Sequence, residues 1–129
     1  MPERDIDAVV AAMDARLVRM PPDRAAQRLF LETYRRTTLA VGQAIRDARF
    51  EDPGWVERWD VVFADLYLAA LDGDLSGSES AVSRPWRLAF DAPDSLPALR
   101  HVLLGINAHI NYDLPQALLA VIADEEFAD

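Results

Sequence analysis

The chain contains no cysteine and no lysine, holds two histidines, and has no apolar run long enough to cross a bilayer. Without cysteine there are no disulfides, no thiolate zinc sites and no thiol nucleophiles. All thirteen basic residues are arginine. Beside abundant alanine and aspartate this reads as a compositional habit, so residue type alone gives no arginine a recognition role. Positive charge is scarce overall: 22 acidic residues leave a formal net charge of −9. Such a surface repels phosphate, which argues against nucleic acid and anionic membranes as partners. The N-terminal MPERDIDAVV is charged and amphipathic, unlike a secretory signal, and the expectation is a soluble cytoplasmic protein. Glycine-rich phosphate loops, the Rossmann fingerprint, HExxH, the nucleophile elbow and the carboxylate pattern of di-iron bundles are all missing.

The 129 residues, 51% apolar and 27% charged, suffice for one core and one domain spanning 1–129. Apolar residues recur at helical spacing. Ile6, Val9, Val10, Met13 and Leu17 mark a first helix, stopped by Pro21-Pro22. A second runs from Asp23 to about Arg49, with Ala26, Phe30, Thr33, Tyr34, Thr37, Val41 and Ile45 on its inner side. Asp52 and Pro53 stand as N-cap and first residue of a third, which ends at Asp72-Gly73. Gly73 to Ser83 is a polar loop, expected to be the most mobile part. RPWRLAF predicts a short helical turn, and a fourth helix covers 97–111. No segment shows strand alternation. The expected fold is all-α, a bundle-like single domain of about five helices.

Most of the chemistry-bearing groups crowd into GINAHINYDLP, residues 105–115. Leu99, Val102, Leu103, Ile106 and Ile110 form an apolar arc, and the opposite side is largely apolar too, as in a buried central helix. Two polar stripes interrupt it: Arg100, Asn107 and Asn111 on one side, His101, Gly105, His109 and Asp113 on the other. A buried polar group without a partner costs about 1–3 kcal/mol, so each needs an explanation. DLPQ reads as a capping box, with Asp113 starting a fifth helix and Leu114, before Pro115, pushed out of helical geometry. If the helix instead continues, His109 and Asp113, four apart, can reach one metal ion or one substrate proton. On the third helix, Asp60 falls on the apolar face among Val56, Phe63, Ala64, Tyr67 and Leu71. A carboxylate there must be paired, hydrogen-bonded, metal-bound or neutralised by a raised pKa. Arg100 and the asparagines are its structural partners by expectation.

Together WVERWDVVFADLYLAAL, RPWRLAF and LLGINAHINYDLPQAL resemble a domain family common in actinobacteria that has no assigned activity or cofactor. The resemblance covers the chain from about residue 30 and implies a bacterial, cytoplasmic setting. Relatives continue past EEFAD, which implies a C-terminally short member.

The leading expectation is therefore a small-molecule or metal-binding pocket between the third and fourth helices, with a hydrolase-like enzyme as its catalytic form. His109 serves there as base or ligand and Asp60 as orienting carboxylate, the catalytic pair. Asn107, Asn111, Tyr67 and His101 position the ligand, and His109 with Asp113 would hold a divalent metal, the one cofactor considered. The competing expectation is a non-enzymatic interaction domain, binding a protein or a second copy, whose buried polar groups only fix packing.

Overall fold

The computed structural model describes residues 5–77, 82–93 and 95–122, and among these there are helices and turns but no strand. Asp5 caps the first helix, α1 (Ile6–Arg19), by accepting from the Ala8 amide at 2.9 Å. Its face Ile6, Val9, Val10 and Met13 is buried, as the spacing predicts. Helix α2 (Ala25–Arg46) packs on it, and α3 (Pro53–Leu75) packs on both. Asp52 caps α3 through the Trp55 amide at 3.0 Å, with Pro53 at the first helical position. RPWRLAF is a true helix, α4 (Arg84–Phe90). The fourth helix expected from sequence is thus α5 (Ala98–Ala108), followed by a π-helical turn (His109–Asp113) and α6 (Leu114–Val121). Of the loop expected at Gly73 to Ser83, the first residues complete α3, and 78–81 lie outside the described residues, as does the C-terminal EEFAD. Among the described residues no helix is long and apolar enough to cross a membrane.

Two expectations about the last helices are corrected. Pro115 does not break the path. Leu114 keeps helical angles (φ −58°, ψ −47°), and its amide bonds to the His109 carbonyl five residues back. Proline at 115 cannot donate to the carbonyl of Asn111 and would crowd it in a regular α-helix. Widening the preceding turn to π geometry removes that conflict. Asp113 makes no side-chain cap. The π turn has a second effect. Residues every fourth position drift about 40° per step around an α-helix. A turn bonded i→i+5 rotates less per residue and takes some of that drift back. His101, Gly105, His109, Asp113 and Ala117 all remain on the buried side.

The second correction is that α5 faces the other way. Its apolar arc, continued by Ile110 of the π turn, points outward, leaving Leu99 68%, Leu103 52%, Ile106 44% and Ile110 44% exposed. The core side is the polar stripe with the small residues Gly105 and Ala108. The reason is steric. The rings of Phe30, Tyr34, Tyr67 and Trp86 already fill the space between α2, α3 and α4, with centroids 5.0–6.2 Å apart. Only a helix face with almost no side chain fits against them.

Gly105 is where this is tightest, because a Cβ there would overlap the Phe30 ring. That ring is wedged against Tyr34, Tyr67 and Trp86 and has nowhere to turn. Alanine normally gains about 1 kcal/mol over glycine inside a helix. Overpacking costs about 1–3 kcal/mol and should win here. Gly105→Ala is expected to lose about 1–2 kcal/mol in urea denaturation, and a gain in stability would contradict the packing described.

Candidate functional site

His109 is buried among aromatic rings. Its ring stacks on Phe63 with centroids 3.7 Å apart and planes within 2°, and Tyr34 meets it edge-on at 4.7 Å. Tyr67 and Trp86 complete the enclosure at 5.9 Å each. The π turn brings Asp113 beneath it, where Asp113 Oδ2 lies 2.9 Å from His109 Nδ1. The same oxygen accepts from Trp86 Nε1 at 2.9 Å. All three side chains are buried. An indole N–H only donates, so Oδ2 is acting as an acceptor, and the complementary tautomer of His109 carries its proton on Nδ1. Burial holds the His109 pKa below the usual histidine range, against the opposing pull of Asp113. The ring is therefore neutral near pH 7, with a bare lone pair on Nε2. That atom has no hydrogen-bond partner.

Tyr34 Oη, Tyr67 Oη and Asp60 Oδ2 are also buried without hydrogen bonds. Asp60 precedes Phe63 by about one turn of α3, and among the described residues no arginine or asparagine pairs with it. Burial pushes its carboxyl up to about 6. The Tyr34 hydroxyl is raised well above its ordinary value, by burial first and then by the charges of Asp60 and Asp113. Burial raises Tyr67 as well.

The other residues singled out in the sequence are placed as follows. Asn107 and Asn111 are exposed and bond to each other at 2.7 Å, so they lie on the surface beside the site. Arg100 is exposed too. His101 is buried two turns away, its Nδ1 without a partner, beside the Phe30–Gly105 contact. Tyr67 does stand against His109. Trp86 and Tyr34 were not singled out, although a tryptophan destined for burial always raises the question of where its N–H goes.

A groove of about 280 Å³ lies against this centre. It opens mainly between α2 and α5 rather than between α3 and α5, with Phe63 as the contribution of α3. Phe30, Val102, Ile106 and Ile110 supply apolar wall, and His109 and Tyr34 form part of the lining. Thr33 and Thr37 also line it, but their hydroxyls donate to the Leu29 carbonyl (2.8 Å) and the Thr33 carbonyl (3.3 Å). Their donors are spent within α2, which leaves methyls and acceptor lone pairs toward the groove. Among the described residues, no three His, Asp or Glu side chains gather where they could hold a metal ion.

Fold and site together define an all-helical domain built around a buried histidine–carboxylate couple. The chain belongs to the DUF5995 family, a family of unknown function whose model matches residues 6–129. No curated protein and no solved structure matches it.

Proposed function

We propose that the protein binds a small, mostly apolar molecule in the groove between α2 and α5, and that His109 Nε2 accepts a proton from it. The observation that carries this reading is the bare, partnerless Nε2 of a neutral histidine whose other nitrogen is held by a buried carboxylate at 2.9 Å. A carboxylate that fixes tautomer and ring orientation is the arrangement general-base histidines use. Asp113 takes the orienting role that the sequence suggested for Asp60. The ligand class follows from the lining: an apolar body to fill the wall, with one hydroxyl, N–H or bound water to meet Nε2. Activation of such a water or hydroxyl is the hydrolase-like form of the activity. Nε2 is shielded from water, so a ligand reaches it by displacing a lining side chain, and half-exposed Ile106 and Ile110 have the room to turn.

The same lone pair would also serve a divalent ion, with Asp113 orienting the histidine from behind. Such an ion would take its other donors from water and ligand. Elemental analysis of the purified protein distinguishes the two forms of the site.

The test is a thermal-shift and NMR screen of small apolar alcohols, amides and esters against wild type and His109→Gln. Wild type should bind members of the set, with shifts at Phe30, Val102 and Ile110, and the variant should lose at least tenfold in affinity while keeping its helical spectrum. A wild type that binds none of them, or a variant that binds as well, would overturn the proposal.

A further inference from the structure

The outward side of α5 is not an ordinary surface. Leu99, Leu103 and Ile106 of α5 and Ile110 of the π turn that continues it follow one another at intervals of four, three and four residues, the alternation of a coiled-coil seam. All four are exposed. From Leu96 to Ile122 the acidic and basic side chains, histidine aside, are Arg100 and Asp113, and Asp113 is buried. The outward face thus carries one charge, at its edge, on a chain of net charge −9. A contiguous uncharged apolar ridge on an otherwise acidic protein marks an interaction surface.

We propose that α5 pairs antiparallel with α5 of a second copy across a two-fold axis. Intervals of four, three and four read the same in both directions, so the ridge is complementary to itself. Leu99 of one copy meets Ile110 of the other, and Leu103 meets Ile106, which is the residue-for-residue reciprocity of a two-fold interface. Charge points to the same occupant. Two copies of a strongly acidic protein repel wherever their acidic faces meet, and this ridge is where they can approach without an acidic side chain between them. A basic partner would find no carboxylate on the ridge to recognise. One helix pair buries less than the roughly 800 Å² per partner of a standard interface, so the pair is reversible rather than obligate. Ile106 and Ile110 also line the groove. A helix seated on them would roof the groove, although pairing itself does not rest on ligand binding.

Sedimentation of the full 129-residue chain from low to high micromolar concentration tests this directly. The weight-average mass should rise reversibly from the 14.4 kDa of one chain toward twice that value. Leu103→Glu and Ile106→Lys should each remain monomeric where wild type is dimeric. Both sites are exposed, so the helical spectrum should not change. Mixing the two variants should restore dimers, because the altered side chains face each other only in the antiparallel pair. A wild type that stays monomeric throughout, or a dimer that survives Leu103→Glu, overturns the proposal. A mixture that stays monomeric overturns the antiparallel register.

Discussion

Asp60→Asn should match wild type in stability near pH 4 and exceed it by about 2–3 kcal/mol near pH 7. The direction follows from proton linkage. Burial lifts the Asp60 carboxyl from an ordinary 3.8 to about 6 in the folded protein. The folded state therefore binds more protons than the unfolded chain between roughly pH 4 and pH 6. Its stability from this group is fully present below the unfolded value and is lost as pH rises through the folded one. Two units correspond to about 3 kcal/mol, taking one unit as about 1.4. Other carboxylates titrate in the same range, so the informative quantity is the difference between variant and wild type at each pH, read from urea midpoints. That difference should open from near zero as the pH rises. A constant offset, or a variant that is worse at neutral pH, would mean that Asp60 is paired in solution.

The same substitution bears on function. A carboxylate kept on a core face without a hydrogen bond to one oxygen destabilises the fold that carries it. Proteins retain such groups where activity uses them, and removing them commonly stabilises. If Asp60→Asn is more stable yet binds the groove ligand more weakly, Asp60 belongs to the site. Equal binding with higher stability would leave its charge outside the chemistry. Among the charges that raise the Tyr34 hydroxyl, that of Asp60 comes first, and Tyr34 edges the groove.

Much of the architecture was legible because local rules and tertiary packing agree. Asp52-Pro53 starts α3 where a cap and a first-turn proline demand it, and the inner face of α1 is the one its spacing gives. His109 and Asp60 drew attention as polar groups on apolar faces, and both are buried. Legibility fails where the neighbours decide. Hydrophobicity alone buries the Leu99–Ile110 arc. The actual choice was made by rings from α2, α3 and α4, which accept Gly105, Ala108 and a flat imidazole but no leucine. On α2 the shift is partial: Phe30 and Tyr34 are buried as their spacing gives, Gln27, Leu31, Thr38 and Gly42 are buried beside them, and Thr33 and Thr37 edge the groove. Pro115 misled for a related reason. A proline breaks an α-helix, but a π turn ahead of it absorbs the missing bond, and nothing local distinguishes the two outcomes. Asp113 was visible as a cap or a ligand; its bond to Trp86, 27 residues away, was not.

That bond makes the final prediction. Asp113→Ala should cost about 3–5 kcal/mol, because it strands two buried donors, the Trp86 indole N–H and the His109 imidazole N–H, at about 1–3 kcal/mol each, and leaves a small void beside them. Asp113→Asn should cost much less, about 1 kcal/mol, since one oxygen, Oδ2, serves both donors and an amide oxygen in its place still accepts from both. Asparagine therefore keeps the proton on Nδ1, whereas alanine leaves Nδ1 without an acceptor and removes what holds the proton there. Nitrogen-15 shifts of the two imidazole nitrogens report the tautomer directly: wild type and Asp113→Asn should show protonated Nδ1 and bare Nε2, and Asp113→Ala should move the proton toward Nε2. With the fold retained, the alanine variant should lose groove ligands that offer a proton to Nε2 and keep purely apolar ones, and the asparagine variant should keep both. If both variants lose stability equally and the tautomer never changes, Asp113 holds Trp86 and α4 in place and the state of His109 is set by its aromatic cage.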